Sequence, residues 1–123
     1  MRRAIVNCPA AHTLRVLSGM WKVPIVWHLQ SGTRRFGELR KDVGKVTQKV
    51  LAQQLRELVR DGIVQRKVYP VVPLKVEYSL TQLGKSLRPV VAIMCGWGAT
   101  HGAATRGTAE RETAARAKSD SMS

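Results

Sequence analysis

The residue pattern predicts an α+β fold, mainly α, in which four helices precede a two-stranded hairpin and a last helix follows it. Three features lead there. Apolar residues recur at helical spacing through most of the chain up to Asp61, alternate as in strands between Ile63 and Leu80, and return to helical spacing from Leu83 to Trp97. At 123 residues, 44% of them hydrophobic, the chain is long enough for one domain with one core.

The elements follow in order. Ala10 to Leu17 reads as a short helix with Leu14 and Leu17 at i and i+3, ended by Gly19. A second helix runs from about Trp21 to Gln30; Pro24 lies in its first turn, and Val23, Val26 and Trp27 supply an apolar face. Ser31-Gly32 ends it, and Thr33 to Phe36 is a short extended link. Gly37 to Val43 forms a third, short helix. Gly44-Lys45-Val46 is a turn, and Thr47 caps the next helix, Gln48 to about Asp61. This helix is the most regular: Val50, Leu51, Leu55, Leu58 and Val59 form one stripe, and Gly62 closes it. Ile63 to Tyr69 and Lys75 to Leu80 then read as strands, joined by Pro70-Val71-Val72-Pro73-Leu74, a stiff connection. Thr81 caps the last helix, where Leu83, Leu87, Val90, Met94 and Trp97 make a coiled-coil-like seam that Pro89 must kink or restart. Residues 1–7 are expected to form an N-terminal arm, 8–101 the domain, and 102–123 a flexible tail with almost nothing to bury.

Charge supplies the functional lead. The chain holds 21 Lys and Arg against 8 Asp and Glu, a net +13, and the first 99 residues account for 17 of the basic and 5 of the acidic residues. A folded domain this positive repels itself unless it meets a polyanion, and nucleic acid is the commonest one. The longest apolar run, Val90 to Ala99, is about half of what a helix needs to span a bilayer, and the N-terminal apolar stretch is too short for a secretory signal. Two cysteines make no disulfide framework, so a cytoplasmic location is expected.

Helix, helix, short helix, turn, helix, hairpin, helix is the layout of a winged helix-turn-helix. A major groove about 12 Å wide admits one helix, which needs a polar face for base edges and phosphates. Removing the stripe from residues 47–61 leaves Gln48, Lys49, Ala52, Gln53, Arg56 and Arg60. Glutamine pairs bidentately with adenine; arginine and lysine take guanine or phosphate. The expected reading residues are Gln48, Lys49, Ala52 and Gln53, with Thr47 and the free N–H groups on a phosphate and Arg56 beside them. Arg66, Lys67 and Lys75 place cations on the wing, and Arg34 and Arg35 are expected phosphate clamps.

Several blocks resemble the HxlR-type branch of winged helix-turn-helix regulators, relatives of the MarR repressors. They are Cys8-Pro9, Gly19-Met20-Trp21-Lys22, Arg35-Phe36-Gly37-Glu38-Leu39-Arg40, Leu51 with Gln54-Leu55-Arg56-Glu57-Leu58, Asp61-Gly62-Ile63-Val64 and Val72 to Thr81, with Gly84 and Leu87 beyond. The resemblance covers about residues 8–100. It implies a homodimer with the first and last helices at its interface, and control of nearby genes. Leu14, Leu83, Leu87, Val90, Met94 and Trp97 are the expected interface residues, the last helix serving dimerisation. Two reading helices would then enter major grooves about 34 Å apart on a near-palindromic operator, most simply as a repressor. The resemblance also makes Cys8 a candidate sensor of oxidants or electrophiles: it begins the first helix near Arg2 and Arg3, and such surroundings favour the reactive thiolate.

Other chemistries find no support in the residues. His12, His28 and His101 show no ligand spacing with the cysteines, so neither metal nor cofactor is expected. Glu38, Asp42, Glu57 and Asp61 lie among Arg and Lys with no nucleophile motif, so an enzyme is not expected. Duplex DNA and a second copy of the chain are the expected partners; no pattern names a small-molecule effector. The competing readings are a winged helix that docks on proteins and a sequence-indifferent architectural DNA binder.

Overall fold

Pro9 opens helix α1 (Pro9–Leu17), tolerated there because the first turn leaves its N–H groups unbonded anyway. The computed structural model describes residues 8–105, so the predicted arm 1–7 and the predicted tail from 106 lie outside the described residues. After α1 come α2 (Lys22–Leu29), β1 (Arg34–Arg35), α3 (Phe36–Val43), α4 (Gln48–Arg60), β2 (Val64–Tyr69), β3 (Lys75–Leu80), α5 (Gln82–Lys85) and α6 (Arg88–His101). A 3-10 turn, Gly102–Thr105, follows where the tail was expected to begin. The chain divides into two compact units, Met1–Val91 and Ala92–Ser123.

In the first unit Leu51, Leu55 and Leu58 of α4 are buried, and Leu17, Ile25, Val26, Leu29, Leu39, Ile63, Val64, Leu80 and Val91 close the core around them. Each fully buried leucine contributes about 2 kcal/mol of transfer free energy. Val50 and Val59, predicted in the same stripe, lie at its exposed rims. On α2 the inward face is Lys22, Ile25, Val26 and Leu29, while Trp27 is 41% exposed. Of the predicted face, Val26 is buried and Val23 packs against the core, whereas Trp27 turns outward and Lys22 lies inward.

The wing is not an isolated pair of strands. β1 joins β3 on the side away from β2, giving an antiparallel sheet of order β1-β3-β2. Arg34 pairs with Tyr78 and Arg35 with Glu77, across from Arg66 and Lys67 of β2. The two-stranded wing thus becomes three-stranded, and the extended link before α3 is its third strand.

The joint after β3 is tightly built. Thr81 Oγ1 accepts from the Gly84 N–H at 3.0 Å and itself donates to the Gly62 and Ile63 carbonyls. Gly84 is buried against the Ile63 carbonyl, where a Cβ would collide with backbone. Ser86-Leu87 then separates α5 from α6, and Pro89 sits in the first turn of α6, so the predicted last helix restarts there. The seam divides accordingly: Leu87 and Val90 pack toward the protomer's own core, whereas Leu83 is exposed. In the second unit Ile93, Met94 and Trp97 are exposed and the Trp97 and His101 rings lie 5.0 Å apart. Among the described residues no helix is long and apolar enough to cross a membrane.

Candidate nucleic-acid interface

Helix α4 is held by its cap and by two neighbouring elements. Thr47 Oγ1 accepts from the Val50 N–H at 3.1 Å, the arrangement its position predicted. Ahead of it Gly44 turns the chain with φ +104°, and Arg40 Nε of α3 donates to the Val46 carbonyl at 3.2 Å. This pins the turn between the two helices. From the other side the Gly19–Lys22 segment grips α4 one turn apart. Gly19 (φ +117°) lies so close to the Gln54 carboxamide that a Cβ would overlap it. Lys22 Nζ donates to Glu57 Oε1 at 2.7 Å.

Lys22 is the feature that sequence reasoning missed. Its side chain is 1% exposed, and a buried ammonium is tolerated only with a partner. Glu57 supplies it, and the Lys22 hydrogen bond, helped by one from Gln53, holds the Glu57 carboxyl below its ordinary value of 4.5. A lysine beside a tryptophan reads as solvated; only its place in the Gly-Met-Trp-Lys block that carries the family resemblance marked it, without saying why.

The outward face of α4 carries Gln48, Lys49, Gln53 and Arg56, all exposed, with Ala52 half-buried among them. The side chains beyond the first turn are not independent. Glu57 Oε2 accepts from Gln53 Nε2 at 2.9 Å, and Gln53 Oε1 accepts from an Arg56 NH2 at 2.7 Å. One chain of contacts therefore leads from the buried Lys22 to the exposed Arg56 guanidinium.

The strand pairing sorts the wing cations. Directly opposed residues share a sheet face, so Arg34, Tyr78 and Arg66 lie on the side that buries Val64 and Leu80, and Arg35, Glu77 and Lys67 on the other. Arg66 and Tyr78 meet α4 across a hollow of about 550 Å³, bordered also by Arg56 and Arg60. Of the three arginines along this cleft, Arg60 pairs with Asp61 at 3.3 Å, while Arg66 is exposed and available to a phosphate. On the opposite side Lys67 and Lys75 flank the Tyr69 ring at 5.0 and 4.8 Å, and Lys75 pairs with Glu77 at 3.6 Å. Val71, Val72 and Leu74 of the connection project into solvent.

The two expected clamps behave differently. Arg35 is exposed, and its N–H donates to Glu38 Oε1 at 2.8 Å to start α3. Arg34 is engaged within the protein by Asp42 at 3.4 Å and by the Thr33 carbonyl. Arg40 and Lys41, not singled out from the sequence, border a second hollow of about 400 Å³ beside Gln48. Their signal was available: they occupy the helix that precedes the reading helix, which in this architecture crosses the phosphate backbone.

Of the expected interface residues, Leu14, Leu83, Met94 and Trp97 are exposed. Cys8 is exposed at the N-cap of α1 with its carbonyl accepting from the Ala11 N–H, and it and Cys95 are free thiols. Among the described residues no group of three His, Cys, Asp or Glu side chains is placed to hold a metal ion.

Comparison with known proteins agrees with this geometry. The family model described as HxlR-like helix-turn-helix matches residues 16–106. An uncharacterized HTH-type transcriptional regulator of Bacillus subtilis, YdeP, is 50% identical over 92 residues, spanning 75% of this chain and 72% of the relative. Among solved structures, the redox regulator HypR in its reduced form superposes with a TM-score of 0.75 at 44% identity, covering 80% of this chain and 98% of that one. The reduced transcriptional regulator YodB from B. subtilis superposes with a TM-score of 0.64 at 36% identity, covering 74% and 90%.

Proposed function

The chain belongs to the HxlR-like helix-turn-helix family of DNA-binding transcriptional regulators, and from that premise we propose that it acts in the cytoplasm as a homodimeric repressor of a near-palindromic operator. The observation that carries this reading is the face of α4. Gln48, Lys49, Gln53 and Arg56 stand exposed on a helix whose opposite side is buried, beside a cleft ringed by arginines. Phosphate contacts by Arg35, Lys49, Arg66 and Lys67 would set register, and groove contacts by α4 would select sequence. Leu14 and Leu83 in the first unit, and separately Met94 and Trp97 in the second, are apolar and exposed, and each pair offers contacts for a second copy. In this assignment 8–101 is the working domain.

Footprinting of the purified protein on the promoter region of its own gene tests this. One protected near-palindrome is the expected result. Uniform coverage of any duplex would favour an architectural role, and no protection would favour docking on another protein. Repression is read separately, as loss of transcript in a reporter carrying the protected site.

A second property is supported by a specific observation: Cys8 is an exposed thiol opening α1, and a structural relative is by name a redox regulator. We propose that oxidation of Cys8 weakens operator binding. Peroxide would convert the thiolate to a sulfenic acid and itself be reduced to water. A gel shift that weakens with peroxide or diamide in the parent and is unchanged in Cys8→Ala is expected; equal behaviour of the two proteins would refute it.

A further inference from the structure

We infer that Lys22, Glu57 and Gln53 are positioning residues that aim Arg56 at a guanine, so that one base preference in each half-site is set from inside the protein. This rests on the reading of α4 as the groove-facing helix and identifies what its middle turn selects.

The argument follows the chain of contacts outward. Lys22 is buried and its ammonium is held on Glu57 Oε1 at 2.7 Å. That bond fixes the carboxylate against the helix and leaves Oε2 to face Gln53, which donates to it at 2.9 Å. The Gln53 carboxamide is thereby oriented nitrogen toward Glu57, oxygen toward Arg56, and the oxygen accepts from one NH2 of Arg56 at 2.7 Å. Each contact determines the orientation of the next, because an amide has one accepting end and one donating end.

Two consequences follow for recognition. Gln53, the residue expected to pair with adenine, turns both ends of its amide along the helix surface, whereas a bidentate adenine contact needs both ends turned into the groove. Arg56 spends one of its five N–H groups on Gln53 and keeps the others for a ligand. A guanidinium tethered at one nitrogen loses less side-chain freedom on binding than a free one, and its remaining fork matches O6 and N7 of guanine. The middle of α4 is therefore built to select guanine through Arg56. Mutual contacts at i, i+3 and i, i+4 within α4 carry the alignment, and α2 anchors it.

In vitro selection with the full chain and a pool of duplexes randomised across the half-site tests this, with bound pools sequenced for the parent, Arg56→Ala, Gln53→Ala, Glu57→Gln and Lys22→Met. The parent should enrich guanine at one position of each half-site, and Arg56→Ala should lower that preference about tenfold or more. Gln53→Ala and Glu57→Gln should lower the same preference by several-fold while leaving the other positions of the motif unchanged. Glu57→Gln should in addition raise adenine there or at the adjacent step, as the released amide enters the groove. A helix merely loosened by mutation would blur every position alike, so selectivity for one position is the deciding readout. Lys22→Met, which replaces a buried charge, is scored only with a thermal melt that shows it folded; the exposed Gln53→Ala decides the matter without it. A guanine preference abolished by Arg56→Ala but untouched by Gln53→Ala and Glu57→Gln overturns the inference. So does a motif without that guanine. A parent that enriches no motif at all would instead count against the operator-binding function itself.

Discussion

Salt dependence offers the sharpest test of the DNA-binding face, and its size can be worked from the placement of the cations. Arg35, Lys41, Lys49, Arg66 and Lys67 are exposed without an acidic partner among the described residues, whereas Arg34 is occupied by Asp42 and Lys75 by Glu77. Five such cations per protomer give about ten neutralised phosphates per dimer, and hence a slope of log affinity against log salt of about −9. Between 50 and 200 mM salt that amounts to a loss of about five decades of affinity. Lys49→Gln removes one contact from each protomer and should flatten the slope by about 2, to about −7. Arg34→Gln, which removes a cation already engaged by Asp42, should flatten it by much less. Fluorescence anisotropy of a labelled operator duplex across a potassium chloride series measures all three. A parent slope shallower than about −4, or equal flattening by the two substitutions, would refute the assignment of contacts.

Three further outcomes are expected. Glu57 is held ionised by Lys22, so its carboxyl titrates lower in the folded chain than its ordinary value of 4.5; the stability this contributes is present above that pH and is lost as pH falls through the lowered value. The gap in melting temperature between parent and Glu57→Gln should therefore be full at pH 7 and shrink toward pH 3, and a gap constant with pH would contradict it. Gly84→Ala places a methyl group against the Ile63 carbonyl and should destabilise by about 1–3 kcal/mol in chemical denaturation, while an unchanged midpoint would show that the joint after β3 yields freely. Leu14→Asp and Trp97→Ser should each weaken self-association by about 2 kcal/mol, seen as monomer in light scattering after gel filtration; retention of the dimer by both would remove them from the interface.

Much of this architecture was readable before any coordinates, for physical reasons that also explain the failures. Helix α4 and the β2–β3 hairpin announce themselves by period, because one face of each must be buried and the spacing records which. Thr47 and Thr81 announce helix starts because only a short oxygen-bearing side chain satisfies the free N–H there. Strand β1 had no such signal: two residues are too few for alternation to show, and its pairing is decided by where β3 passes. Trp27 falls on the apolar face with Val23 and Val26 by spacing and yet is exposed, while Lys22 is buried because the Glu57 carboxylate of another helix meets it. The pattern of hydrophobicity cannot register a charge that is buried as half of a pair. The cations of the wing can be listed from the sequence, while their division between two sheet faces required the register. Leu87 and Val90 fitted a heptad by spacing alone, and the break before Pro89 turned them toward their own core.

The two-residue strand β1 has a consequence for how such a protein can be switched. Because Arg34 and Arg35 bond to β3, which in turn bonds to β2, the hairpin is stitched to the root of α3, and α3 is tied by Arg40 to the turn that launches α4. Helix α4, helix α3 and the wing are thus linked by hydrogen bonds into one braced block. An inducing signal acting on such a block has little to bend; its economical course is to carry the entire block sideways. In the dimer proposed above, a mismatch in span between two such blocks, rather than melting of either, would then be what releases the proposed operator.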